Sequence, residues 1–184
     1  NFCTVDLSAF YFDIRKDNLY CDPVDSKKRK STIVLLNIIL NALLKWFAPI
    51  LSFTTEEIFK LLFMNQKSIH LEKFLEFPDK FKNQKLNDKW TELIKIRDIC
   101  NISIEEKRAS KEIGSSLEAD LKIQLSQRLK KITEHTDFSE LCITSKAEVS
   151  YKEDIEVTAI TSKAKGTKCP VCWKISESPC PRHP

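Results

Sequence analysis

From Thr32 to Ala48 the chain reads TIVLLNIILNALLKWFA, apolar at almost every position except Asn37, Asn41 and Lys45. Those three recur every fourth residue, so on a helix of 3.6 residues per turn they draw one narrow wet stripe and leave a wide apolar face. The pattern predicts the central helix of a bundle. A membrane span is the competing reading, because apolar residues continue to Phe53. Asn37, Asn41, Lys45 and Pro49 interrupt the roughly 18 clean apolar residues that a span needs.

Upstream, Leu7, Phe10, Tyr11 and Ile14 follow i, i+3, i+4, i+7 spacing and predict an amphipathic helix over Asp6 to Arg15, its stripe packed on the central helix. Lys16 to Ser26, with Pro23 and several Asp and Asn residues, reads as a connection. Downstream, Thr54 and Glu57 have capping-box spacing, and Phe53 and Ile58 fall where a hydrophobic staple would sit, so a helix is expected from Thr55 to about Met64. Asn65 to Leu86 looks irregular. His70 within it reads as a structural histidine rather than a ligand, since no second metal ligand lies near it in the sequence. Asn87 is a plausible cap for a charged helix reaching Glu112, with Trp90, Leu93, Ile94, Cys100 and Ile104 on its drier side. Its length of roughly 39 Å could bridge two modules, and Gly114 offers a left-handed stop.

Beyond Gly114 the period changes. Leu117, Ala119, Leu121, Ile123 and Leu125 alternate with Glu118, Asp120, Lys122 and Gln124, which predicts a strand with one buried face. Ser126 to His135 reads as a short helix, and Leu141 to Thr144 and Ile155 to Thr161 as further strands.

Composition narrows the class. The 184 residues are 42% hydrophobic and 30% charged, enough to bury a core in one or two globular domains. Two glycines disfavour glycine-rich phosphate loops and favour long helices. The net charge of +4 is unevenly spread. Lys27, Lys28, Arg29 and Lys30 form one basic block at the start of the central helix, where the helix dipole disfavours positive charge. The tail from Lys163 holds five basic residues against Glu177 alone. Both stretches invite an anionic partner, although for the block a solvated surface is a simpler explanation than a phosphate contact. Seven cysteines are an odd number for a secreted disulfide framework, and no sorting signal is visible. Cys3, Cys21, Cys100 and Cys142 are therefore expected as free thiols of a cytoplasmic protein. The chain begins at Asn1 in what reads as the middle of a fold, so it is expected to be a piece of a longer protein.

The most specific chemistry lies in the tail. Cys169-Pro170-Val171-Cys172 and Cys180-Pro181-Arg182-His183 are two ligand pairs, each with two residues between, the spacing by which a small knuckle closes a tetrahedral zinc site. A redox pair or free thiols are the alternatives for the first motif. Three thiolates and one neutral imidazole would leave one net negative charge, which Lys168, Lys174 and Arg182 are placed to offset. The tail has little apolar content beyond Val171, Trp173 and Ile175, so its order would have to come from the metal.

Four segments carry a family resemblance. DLSAFYFDIRKDNLYCD (Asp6 to Asp22), APILSFTTEEIF (Ala48 to Phe59), EEKRASKEIGSSLEA (Glu105 to Ala119) and KCPVCW (Lys168 to Trp173) resemble the C-terminal third of the isoleucyl-tRNA synthetase family, in that family's order. The first two are shared in looser form with other class I synthetases for aliphatic amino acids. The resemblance implies a mainly α fold, residues 1–86 forming part of an anticodon-binding helical bundle, 87–113 a connecting helix, 114–162 a small α/β unit and 163–184 a zinc-knuckle tail. It implies recognition of the anticodon arm of isoleucine tRNA, by a chain joined to catalytic and editing domains, with no membrane partner. The implied zinc is structural, on Cys169, Cys172, Cys180 and His183, and ATP belongs to the catalytic domain alone. No catalytic residue is expected here, because neither ATP-binding signature of the family has a counterpart in the chain. Trp173 matches the family's tryptophan, which in the resemblance stacks on an anticodon base; covering the small sheet is the plainer role. Lys27, Lys28, Arg29, Lys30, Lys168 and Lys174 would then face the tRNA. Two departures stand out: the second pair ends in His183 after a short interval, and Val171 occupies a position where related tails commonly carry arginine. A zinc-stabilised helical adaptor for other proteins is the alternative function. On either reading the bundle is expected to be incomplete and to expose an apolar patch.

Overall fold

The computed structural model of the chain describes residues 1–64, 67–153 and 156–183. A π-helical segment, Phe2–Phe12, runs directly into helix α1, Asp13–Cys21. Helicity thus continues through Lys16 to Cys21, where the sequence pointed to a connection. Two units follow from the packing, residues 18–82 and residues 1–17 with 83–184.

In the unit 18–82, α2 is Lys27–Phe47 and α3 is Ser52–Leu62. Ser26 caps α2 by accepting the Arg29 N–H at 3.4 Å. α3 starts before the expected capping box, because the Ile50 and Leu51 N–H groups both bond the Phe47 carbonyl and close a tight turn there. Thr54 therefore lies inside the helix, and Phe53, 93% exposed, forms no staple. A small core of Leu44, Ala48, Phe59 and Ile69 joins α2, α3 and the turn Ile69–Leu71. Glu56 holds that turn, accepting the Ser68 hydroxyl and the Ile69 N–H, each at 2.9 Å. His70 within the turn is exposed rather than packed.

The polar stripe of α2 faces outward only in part: Asn37 is exposed, as expected, whereas Asn41 and Lys45 are not. Lys45 of the polar stripe is 9% exposed and pairs with Glu72 at 3.1 Å. Asn41 Oδ1 is buried with no hydrogen-bond partner among the described residues. Ile33, Val34, Leu35 and Ile38, which a bundle would bury, are 41–60% exposed, so the expected apolar patch is present. By length and composition α2 is long and apolar enough to cross a bilayer, with Asn37, Asn41 and, in its last turn, the ion-paired Lys45 interrupting the apolar run.

In the other unit, α4 is Gln84–Ala109, capped by Asn83, whose Oδ1 accepts the Leu86 N–H at 3.1 Å. It ends earlier than expected. Lys111, not Gly114, takes the left-handed conformation (φ 59°), while the Glu112 N–H bonds back to the Lys107 carbonyl. Strand β1, Ala119–Ser126, buries Ala119, Leu121, Ile123 and Leu125, as its alternation demands. Helical turns α5, Lys130–Thr133, and α6, Phe138–Leu141, carry the chain across to β2, Lys146–Lys152, which runs parallel to β1. β3, Thr158–Lys163, pairs antiparallel on the other side, giving the order β2-β1-β3. Leu141 to Thr144 is thus a helix end, not a strand. Ile155, expected to open the last strand, lies outside the described residues.

The core joins Leu93, Ile96, Cys100 and Ile104 of α4 to the inner face of β1 and to Phe138, Leu141 and Cys142. Ser103 ties α4 to β3 through the Thr161 hydroxyl at 2.8 Å and its N–H at 3.1 Å. The stripe of the first helix, expected to meet the central helix, packs here on α4: Phe10 meets Trp90 edge-on at 6.0 Å and lies under Arg97. The chain is therefore mainly helical, followed by a small α/β unit and a cysteine-histidine tail.

Candidate metal centre and its tryptophan

The tail is a hairpin of β4, Thr167–Lys168, and β5, Ile175–Ser176, with the first cysteine pair at its tip. Gly166 precedes it at φ 118°, where a Cβ would lie 2.1 Å from the Ser176 carbonyl oxygen, so no other residue fits. The hairpin is latched to the sheet by Ser145, whose hydroxyl accepts the Ile175 N–H at 2.6 Å and donates to the Leu117 carbonyl at 2.5 Å.

Both ligand pairs sit on tight turns, the first closed by a bond four residues back and the second by a bond three residues back. The Trp173 N–H closes the first on the Cys169 carbonyl at 3.0 Å, and the His183 N–H closes the second on the Cys180 carbonyl at 3.1 Å. Proline in second place presets the backbone for such a turn. The N–H groups of Cys172 and Val171 are aimed at Cys169 Sγ and hold its thiol down to about 6. Burial pushes the Cys180 thiol up, against the N–H groups of Arg182 and His183.

The turns bring Cys169, Cys172, Cys180 and His183 together, all four ligand atoms within 4.8 Å of one another. Cys172 Sγ lies 3.8 Å from Cys180 Sγ, and His183 Nδ1 lies 3.5 Å from Cys169 Sγ and 3.4 Å from Cys180 Sγ. Cys169 and Cys172 are buried, the other two partly so. Three sulfurs and an imidazole nitrogen at these spacings could hold a metal ion.

Trp173 follows the first turn at φ 64°, a conformation that costs a bulky residue on the order of 1–3 kcal/mol. The turn holds the residue there, 59% exposed, with Lys168 Nζ 5.4 Å from the ring centroid. Trp173 is thus more than half exposed on a strained backbone. Lys174 is half-buried, with its carbonyl bonded to the Cys169 N–H. The basic block lies in the unit 18–82: Lys27, Lys28 and Lys30 are exposed, whereas Arg29 donates to the Asp22 carbonyl at 3.0 Å and braces the start of α2. Two tail contacts escaped the sequence reading, the Ser145 latch and a bond from Arg182 to Asp17. Ser145 belongs to no motif and Arg182 sits in one only as a spacer, and their partners are remote in sequence.

A family model described as the anticodon-binding domain of tRNA ligase matches residues 1–125. The chain is 64% identical over 183 residues to an isoleucine–tRNA ligase of Pelagibacter ubique, all of this chain matching 20% of that protein. It is 42% identical over 189 residues to the isoleucine–tRNA ligase of Bradyrhizobium diazoefficiens, 96% of this chain against 19% of the relative. It is 38% identical over 179 residues to that of Zymomonas mobilis, 95% against 19%. The chain thus spans about a fifth of the length of these relatives.

Proposed function

Because the chain belongs to the anticodon-binding domain family of tRNA ligases, we propose that it recognises the anticodon arm of isoleucine tRNA within a cytoplasmic isoleucine–tRNA ligase. Activation of isoleucine with ATP and its transfer to the tRNA would fall to the catalytic domain of such an enzyme, and proofreading to its editing domain. The observation that carries the reading is Trp173: a flat, exposed ring on a strained backbone, fixed by the turn beside it and approached by Lys168. An unstacked base finds there one π-face and one adjacent cation, and such stacking is worth about 1–3 kcal/mol.

Zinc is the metal that fits. A tetrahedron with Zn–S of about 2.3 Å and Zn–N of about 2.0–2.1 Å has S···S edges of about 3.8 Å and S···N edges of about 3.5 Å. Three of the six separations, Cys172–Cys180 at 3.8 Å, Cys169–His183 at 3.5 Å and Cys180–His183 at 3.4 Å, lie close to those edges, and all six are within 4.8 Å. The ion's contribution would be structural, cross-linking two turns that have no apolar core of their own. The cysteines and His183 hold it, the backbone N–H groups stabilise the thiolates, and Trp173 is aimed by the closed turn. Lys168 and Lys174, with Lys27, Lys28, Arg29 and Lys30 in the other unit, supply positive charge for phosphates.

The test is zinc stoichiometry and tRNA affinity on three preparations. The parent should bind one zinc, Cys172→Ser none, and Trp173→Ala one. Both variants should lose about 1–3 kcal/mol of tRNA affinity, and each lysine that contacts a phosphate should flatten the salt dependence by about one unit when removed. A Cys172→Ser chain that binds tRNA like the parent overturns the role of the site. The exposed apolar face of α2 favours the adaptor reading, and RNA affinity indifferent to salt would decide for it.

A further inference from the structure

The second turn carries an arginine between its two ligand residues, and that arginine is gripped from the far end of the chain. Arg182 donates through Nη1 and Nη2 to the two carboxylate oxygens of Asp17, each at 2.8 Å, across 165 positions of sequence. Such a fork fixes the plane of the guanidinium as well as its distance. Both side chains are largely covered, 31% and 26% exposed. Arg182 also donates toward Cys172 Sγ. One guanidinium therefore joins α1 to a sulfur of the first turn, while its own backbone forms part of the second. Asp17 stands on a supported element: two residues earlier, Arg15 pairs with Glu140 of α6 at 2.6 Å.

We propose that the Asp17–Arg182 pair positions the second ligand turn, so that metal binding in the tail and docking of the tail on α1 are one linked equilibrium. This rests on the zinc reading of the four-residue cluster. Cys180 Sγ and His183 Nδ1 meet at 3.4 Å while the turn is closed by the His183 N–H on the Cys180 carbonyl, and closure fixes where Arg182 leaves the backbone. A bound metal closes the turn before Arg182 meets Asp17. Equally, an engaged Asp17 holds the turn closed before the metal arrives. Each event removes freedom that the other would otherwise have to remove, so each strengthens the other by the same factor. A charge-offset role for Arg182 is a weaker claim and separable from this one, since lysine supplies the charge but cannot form the fork.

The experiment measures zinc affinity of the 184-residue chain by competition with a chromophoric chelator. The variants are Asp17→Asn, Arg182→Lys, Arg182→Gln and the double Asp17→Asn/Arg182→Gln. Each single variant should bind zinc about 10–100-fold more weakly, the usual loss for an outer-sphere partner, and the double no more weakly than the weaker single. Co²⁺ spectra should keep the same band shape, because no ligand has changed, and amide protection at Ile123 and Leu125 reports that the sheet stays folded. In the other direction, chelation should speed amide exchange around Asp17 in the parent and leave it unchanged in Asp17→Asn. Zinc affinities equal to the parent's, losses that multiply in the double, or full retention by Arg182→Lys would each overturn the linkage while leaving the metal site standing. A parent that takes up no zinc would overturn the metal reading itself.

Discussion

The two units dispose of apolar side chains in opposite ways. Between α4 and the sheet, Leu93, Ile96, Leu121, Ile123 and Leu125 are at most 2% exposed. In the unit 18–82, the core is Leu44, Ala48, Phe59 and Ile69, while Ile33, Val34, Leu35 and Ile38 of its longest helix lie open. What that unit lacks in burial it replaces with polar fastenings: Glu56 on the turn at Ile69, and Lys45 on Glu72. An apolar sequence is therefore not a buried one, and the same substitution must read differently in the two places.

The largest effect tests that contrast directly. Leu121→Ala, at 1% exposure, should cost about 2–5 kcal/mol through lost burial and the cavity left behind. Val34→Ala, at 60% exposure, should stay within about 0.5 kcal/mol. Urea unfolding of both variants measures it. Equal losses would mean that the face of α2 is covered in solution and would break the comparison. An apolar dye that binds the parent, and binds less to a Val34→Lys/Ile38→Lys chain, would sharpen it.

The inward turn of Lys45 also marks where sequence reasoning stops. Periodicity gave the helix, since Asn37, Asn41 and Lys45 recur at its turn, but periodicity cannot say which face meets protein. Lys45 turned inward because Glu72, 27 residues on, was there to pair with it. The strand at Ala119–Ser126 was legible because one face of it is wholly buried. Lys146–Lys152 alternates just as regularly, KAEVSYK, yet its inner residues Ala147, Val149 and Tyr151 are only partly buried, and the nearby apolar pair Leu141 and Cys142 drew the assignment away. Its parallel pairing with β1 depends on a crossover through α5 and α6 that local patterns do not encode. In the tail, spacing alone named the four residues that the fold brings together. The fork on Asp17 was out of reach, because nothing near Arg182 in the sequence points to α1.

Helix caps give a smaller test. Asp137 caps α6 in the packed unit, accepting the N–H groups of Ser139 at 2.9 Å and Glu140 at 3.1 Å. Ser26 caps α2 through one bond at 3.4 Å. Removing a cap costs about 0.5–2 kcal/mol. Asp137→Ala should fall in the upper half of that range and Ser26→Ala at its foot, by thermal unfolding of each. The reverse order would mean that the helical unit depends on its polar fastenings more heavily than their geometry shows.

The smallest effect has opposite signs in the two units and is read through pH. Glu56 is held down from its ordinary 4.5 to about 2, first by the Lys60 ammonium and then by the Ile69 N–H. A carboxylate depressed in the folded chain stabilises it fully above 4.5, and that contribution fades as pH falls toward about 2. Asp120, at the start of β1, is pushed up, chiefly by burial and against the pull of Lys146. Its ionised form costs stability near neutral pH, and acid relieves the cost as the carboxyl takes up its proton. Glu56→Gln should therefore be less stable than the parent at pH 7, with the gap closing as pH falls through about 2. Asp120→Asn should be more stable than the parent at pH 7, its gap closing in mild acid. Amide exchange at Ile69 and at Ile123 reports each unit separately, so the two trends can be followed in one sample series. If both variants shift stability in the same direction at pH 7, either Glu56 does not hold its turn or Asp120 is hydrated in solution, and the exchange at Ile69 tells which.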